Sequence, residues 1–348
     1  MIKAILNSAS NYALAGLLLA LASIGPLVFG EFDLLQISTF TAMALATLGL
    51  ALAWGYVGIL SFGHAAFFGL GAYAYAITTI NLGDSTLAIP MAVLLPVVFS
   101  LLLGYLLFFG RVGDVYLAVI TLCVTLILFS FMNSTADPSY RIGSALLGGF
   151  NGIDSVPPLN WPGQPDASLD PTQMFRLCLL VLAAAYCLIR FLLRSSIGRI
   201  MVAIRENELR SELIGYDVRL YKMLAFAISA GIAGLAGCLF TANNGYVGPT
   251  AFDINQASQF LLWVIAGGVG TLAGPLIASF AFQYLQTYLG TDQILNTSLV
   301  FGAIIIFFVL LVPRGILPAL RDGPKSLSMF VRASRRRLRT ERPLQRRT

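Results

Sequence analysis

The sequence predicts an all-α polytopic membrane protein of about ten transmembrane or broken helices, with N- and C-termini cytoplasmic. Three observations carry that reading. Of its 348 residues, 57% are hydrophobic and only 11% charged, where a soluble domain carries about 25% charge, and mean hydropathy is +0.82. The apolar residues fall into runs of about 20, the length that crosses a bilayer. The charges between the runs separate by sign from one loop to the next.

The runs follow in order. Lys3 precedes an apolar stretch at 12–30, which is longer than a signal-peptide core and lacks a clear small-x-small cleavage site. It is expected to remain as the first membrane helix. Runs at 34–57, 62–82, 87–109 and 115–133 come next, then 174–193 and 223–243 after two polar loops, and 296–312 near the end. The glycine-rich stretch 257–290 is too short for two full spans and too long for one, so two short or broken helices are expected there. Residues 1–320 form one membrane domain, and 321–348 a basic cytoplasmic tail.

Charge gives the orientation. With the N-terminus inside, the outer loops hold Glu31, Asp33, Asp84, Asp137, Asp154, Asp166, Asp170, Asp253 and Asp292, against the basic residues Arg141 and, at a span edge, Arg176. The inner loops hold Lys3, Arg111, the series Arg194, Arg199, Arg205, Arg210, Arg219 and Lys222, and the tail. That is the asymmetry of the positive-inside rule, which eight spans would satisfy as well as ten. From Arg321 onward ten Lys or Arg stand against Asp322 and Glu341, a net +8 within a chain total of +6. The basic character therefore belongs to the tail, which suits anionic membrane lipid and gives no reason to expect nucleic acid.

Two loops are long enough to act. The outer one, about 134–173, is rich in Pro, Gly, Asn and Asp and lacks a helical apolar period, so an irregular extracytoplasmic segment is expected, with room for a short element. The inner one, SSIGRIMVAIRENELRSELIGYDVRLYK, places Ile200 with Ile204 and Leu209 with Leu213 at i,i+4 spacing on a charged background. This predicts a short amphipathic helix at the cytoplasmic face. The four cysteines, Cys123, Cys178, Cys187 and Cys238, lie in apolar runs without metal-ligand spacing and read as small core residues.

The uncharged run from Leu34 to Gly83 contains AWGYVGILSFGHAAFFGLGAY, with the only histidine of the chain. Gly69 and Gly71 read as close-packing residues of a membrane helix. Gly55, Gly58 and Gly63 flank Ser61 and His64, where backbone released from helical bonding must be buried in protein or line a wet cavity. Two readings of His64 stay open: a hydrogen bond between helices, or a lining group of a path. The motif GYVGIL at 55–60 is echoed as GGVGTL at 267–272, and paired interruptions of this kind point to a translocation path. The candidate path residues are Gly58, Ser61, Gly63, His64, Asn151, Gly152, Gly267 and Gly270.

Several longer motifs run in a fixed order: GxxGxxSFGHAAF at 55–67, DVYLAVITL at 114–122, GGFNGI at 148–153 and GRxxxAIRENE at 198–208. LIGYDVRLYKMLAFAISAGIAGLAG follows at 213–237 and PRGIL at 313–317. The chain resembles, over about 45–320, the permeases of branched-chain amino acid ATP-binding cassette (ABC) transporters, in particular the M-type of their two paralogues. The resemblance implies a bacterial inner-membrane importer subunit that pairs with an H-type permease. It implies also two cytoplasmic ATPase subunits and an extracytoplasmic solute-binding protein, and it makes Arg205, Glu206, Asn207, Glu208 and Gly215 part of the loop that docks on the ATPase. Urea and short-chain amide permeases share much of this pattern and stand as the alternative substrate class.

The chain carries no GxxxxGK[ST] phosphate loop, no His, Cys or carboxylate cluster with metal spacing, and no nucleophile set beyond the isolated Ser61 and His64. It is therefore expected to be no enzyme and to bind no cofactor, with ATP used by partner subunits. The spans hold no acidic or basic residue placed for a proton relay, which argues against a self-powered carrier.

Overall fold

The computed structural model describes residues 8–291 and Gly302. The expected helix at 296–312, the PRGIL motif, the basic tail and Lys3 lie outside the described residues, and with them the total of ten helices and the placement of both termini. The described chain runs as α1 (Ser8–Val28), α2 (Glu31–Leu52), α3 (His64–Leu82), α4 (Ser85–Gly104) and α5 (Asp114–Ser134), with π-turns Ala53–Val57 and Tyr105–Phe109 ending α2 and α4. After the outer loop come α6 (Pro171–Arg194), α7 (Ser196–Glu206), α8 (Glu208–Leu213), α9 (Val218–Asn244), α10 (Ile254–Gly267) and α11 (Ala273–Thr291). Six helices among the described residues are long and apolar enough to cross a membrane. The 257–290 region is two helices, parted at Gly268.

The core is built on α9, which packs against α2, α3 and α4. Apolar association gives little drive inside a lipid solvent, so membrane helices approach through small residues that let backbones touch. Here Gly71 of α3 faces Gly234 of α9 so closely that a methyl at position 71 would lie 2.2 Å from the Gly234 carbonyl oxygen. By contrast α4 and α5 leave long apolar faces uncovered, among them Leu94, Leu102, Val115, Val119 and Ile127. Cys123 corrects the core reading of the cysteines: it is exposed, because α5 buries only the stripe Leu117, Ala118, Thr121, Thr125 and Met132. Cys178 and Cys238 are buried and Cys187 is half-buried.

The outer loop holds more structure than its composition suggests. Hairpin β1–β2 pairs Arg141–Ile142 with Ala145–Leu146, and hairpin β3–β4 pairs Asn160–Trp161 with Gln164–Ser168. These strands are too short for an alternating pattern to show. Contacts with the helices hold them instead. Asn160 accepts from the Ser85 amide at 2.7 Å and donates to Asp84 at 2.9 Å. Tyr75 donates to the Pro157 carbonyl at 2.9 Å, and Ile153 pairs through its backbone with Val247 beyond the end of α9.

Candidate functional site: two helix breaks and the amphipathic helices

Helix α2 ends because its last turn widens to a π-turn and Gly58 takes φ +87°, a left-handed conformation that glycine adopts without strain. The chain then runs without helical bonding and re-enters a helix at His64. Backbone groups freed at such a break need partners from the protein. The Ser61 hydroxyl accepts from the Gly63 amide at 3.0 Å, Thr121 of α5 accepts from the Phe62 amide at 3.2 Å, and Thr125 donates to the Phe62 carbonyl at 3.3 Å. Ser61, Gly63 and His64 are all buried in this conformation.

His64 ties three helices. Its Nε2 lies 2.7 Å from the Ser229 hydroxyl on α9, and that hydroxyl donates to the Gly49 carbonyl of α2 at 2.6 Å. A hydroxyl has one proton, and Ser229 gives it to a carbonyl that can only accept. The network therefore assigns Nε2 as donor and leaves Nδ1 as a buried acceptor without a partner among the described residues.

The second break repeats the first. Helix α10 stops at Gly267, the turn at 268–271 includes Gly270 at φ +92°, and α11 starts at Ala273 and packs against α10. The two motifs that echo each other in sequence meet in space: a methyl on Gly55 would lie 3.1 Å from the Gly270 amide nitrogen. Against both lies Arg205 of α7. Its guanidinium donates to the Gly55 carbonyl, and its stem runs past Gly58, where an added methyl would lie 3.5 Å from Arg205 Cγ. Sequence spacing offers no signal for a contact spanning 150 residues.

The amphipathic stretch of the inner loop is two helices. Asn207, at φ −160° and ψ 104°, leaves the helical region, and its side chain accepts from the Arg210 amide at 2.8 Å to start α8. Of the coupling candidates, Arg205 turns inward and is half-buried, while Glu206, Asn207 and Gly215 are exposed. Glu208 bonds Lys222 of α9 at 2.5 Å, Lys222 also lies 3.8 Å from Asp114, and Arg111 pairs with Glu212 at 3.6 Å. Lys222 is only 9% exposed, so its charge is held by Glu208 and Asp114. These pairs surround a cavity of about 650 Å³ lined by residues that include Arg111, Asp114, Glu212, Tyr216 and Lys222. They fix α8 to the bundle with Leu209, Leu213 and Ile214 facing out at 66%, 79% and 68% exposure.

Asn151 and Gly152 stand apart from this cluster, in the outer loop. Gly152 is buried where a methyl would lie 2.3 Å from the Val247 carbonyl oxygen, and Asn151 is exposed. At the same end Asp84 caps α4. The Thr86 amide, then the Asn160 and Thr86 side chains, donate to its carboxylate and hold its pKa below the ordinary value. Among the described residues no cluster of His, Cys, Asp and Glu could hold a metal.

Residues 34–310 match the family model described as the permease component of branched-chain amino acid transport systems. The high-affinity branched-chain amino acid transport system permease protein LivM of Escherichia coli K12 is 29% identical over 315 residues, covering 83% of this chain and 71% of that protein. LivM of Salmonella typhimurium LT2 is 29% identical over 306 residues with the same coverage. The ribose import permease protein RbsC of Escherichia coli K12 is 25% identical over 221 residues, 62% of this chain and 64% of its own. No solved structure matches the chain at a significant level. With its apolar helices, its paired breaks and a match across most of its length, this multi-pass inner-membrane protein belongs to the branched-chain amino acid transport system permease family.

Proposed function

We propose that this chain is one permease subunit of an ABC importer for branched-chain or similar apolar amino acids. It pairs with a paralogous H-type permease, receives substrate from an extracytoplasmic solute-binding protein and is driven by two ATPase subunits at the face carrying α7 and α8. The family match and the LivM relatives support the substrate class, and the ribose permeases match a smaller share of the chain. The observation that carries the coupling role is the surface of α8. Leu209, Leu213 and Ile214 form an exposed apolar patch beside the exposed Glu206 and Arg210, on a frame pinned by ion pairs. A rigid apolar patch rimmed by charge suits a soluble partner better than water.

On this reading Gly58, Ser61, Gly63, Gly267 and Gly270 form the inner closure of the substrate path, with His64 fixing its wall, and Asn151 and Gly152 belong to the outer entrance. Glu206→Arg tests the docking surface, because a like charge set against a matched partner costs several kcal/mol. The variant is expected to insert in the membrane at normal levels, yet to lose ATPase from the purified complex. Normal ATPase recovery and normal uptake would refute the assignment.

A further inference from the structure

The contact between Arg205 and the two breaks has a mechanical meaning. In the π-turn the Ile59 amide reaches back to the Ala53 carbonyl and the Gly58 amide to Trp54. Neither satisfies the Gly55 carbonyl, which the break leaves without its helical donor, and Arg205 supplies one from another helix. Among the described residues no carboxylate pairs with Arg205, so its charge is directed at backbone. The site is shaped around it. A methyl at Gly270 would lie 2.9 Å from Arg205 Nη1, and the left-handed turns at Gly58 and Gly270 bring both backbones against one side chain. The surface assigned above to the ATPase begins at the next residue, Glu206.

We propose that Arg205 is the positioning residue that joins α7 to both glycine breaks. In this conformation it holds the inner end of α2 and the α10–α11 turn together, and displacement of α7 by the ATPase withdraws the guanidinium and lets the two breaks part. The inference rests on the coupling role proposed for α7 and α8 but assigns Arg205 the opposite direction: inward to the path, not outward to the partner.

The test uses the complete transporter in proteoliposomes, with ATPase recovery, ligand-stimulated hydrolysis and uptake read on each variant. Arg205→Met keeps the stem and removes the donors. It is expected to recover ATPase as the parent does and to lose uptake and ligand stimulation by about tenfold or more, the loss of a charge-assisted bond. Arg205→Lys, which keeps a charge and donors on a similar stem, should retain an intermediate uptake. Gly55→Ala approaches from the other side, because its methyl presses on the Gly270 amide at 3.1 Å with the guanidinium intact; it should be uncoupled in the same way.

Uptake by Arg205→Met close to the parent level overturns the proposal. So does loss of ATPase from Arg205→Met, which would make Arg205 a docking residue. Should Arg205→Met fail to accumulate, Gly55→Ala decides: impaired coupling in an assembled complex supports the tie, and normal uptake overturns it. If Glu206→Arg retains its ATPase while Arg205→Met is assembled and uncoupled, the docking surface is wrong and the tie stands.

Discussion

Replacing His64 by Ala should weaken the helix bundle through one identifiable bond. The ring donates from Nε2 to Ser229 at 2.7 Å, and Ser229 passes its own proton to Gly49 at 2.6 Å. An interhelical hydrogen bond in a membrane is worth about 0.6–2 kcal/mol. Removing a buried ring also leaves a cavity, so the single substitution should destabilise by about 2–5 kcal/mol in all. The cavity is not specific to the bond, so the informative quantity is the coupling between His64→Ala and Ser229→Ala. Both single variants break the His64–Ser229 bond, and the double variant cannot lose it again. The coupling should therefore be about 0.6–2 kcal/mol, measured by reversible unfolding of the purified protein in mixed detergent. Gly49 keeps the Ala53 amide as a second donor in either variant, which limits the background from an orphaned carbonyl. Uptake per assembled complex should be retained by His64→Ala, and His64→Gln should recover part of the stability. A coupling within about 0.3–0.5 kcal/mol of zero, with uptake lost in the assembled complex, would refute the reasoning. The ring would then be acting on substrate.

Three other outcomes follow from the same structure. Gly71→Ala sets a methyl 2.2 Å from the Gly234 carbonyl oxygen, where contact needs roughly 3.5 Å; α3 and α9 must separate by about 1 Å, and the yield of folded protein should fall sharply. Normal yield and melting temperature would contradict the packing. A cysteine at Ser61, buried here, should be unreactive to a small water-soluble thiol reagent in the resting transporter and become reactive during turnover; no reaction in any state would mean the break serves packing alone. The Asp84 carboxyl is held below its ordinary value by the Thr86 amide and Asn160, so its ionised form favours the folded cap. That contribution is complete above the ordinary carboxylate range and is lost as pH falls through the depressed value. The protection of the Thr86 amide, its exchange rate taken relative to the intrinsic rate at each pH, should therefore fall on acidification in the parent and be low at neutral pH in Asp84→Ala; equal protection in both proteins at neutral pH would contradict the cap.

Much of this architecture was legible in the sequence, for physical reasons that differ by element. The spans at 34–57, 62–82, 87–109 and 115–133 emerge as α2 to α5 within a few residues, because an apolar run bounded by charge or glycine has few other ways to satisfy its backbone in lipid. A break among Gly55, Gly58 and Gly63 and another within 257–290 were visible because glycine leaves a helix most easily; that the turns fall at Gly58 and Gly268 was not. What the breaks touch was not visible. The Arg205–Gly55 contact and the meeting of Gly55 with Gly270 join segments far apart in the chain, and neither leaves a period or spacing. Ile204 and Leu209 stand five residues apart, a step in the i,i+4 pattern too small to announce that Asn207 ends one helix and starts α8. Glu208 reads in sequence as one of several exposed charges, and only the fold brings Lys222 to it. The hairpins of the outer loop depend on Asn160, Tyr75 and Val247 reaching across from other segments.

The most direct test of the account is uptake of labelled leucine into proteoliposomes that carry the complete transporter, its ATPase subunits and its solute-binding protein. The account predicts saturable accumulation that requires ATP and the binding protein, is competed by isoleucine and valine, and is unaffected by urea, acetamide or ribose. Accumulation of urea or acetamide in the same vesicles, with leucine neither transported nor competing, would contradict it.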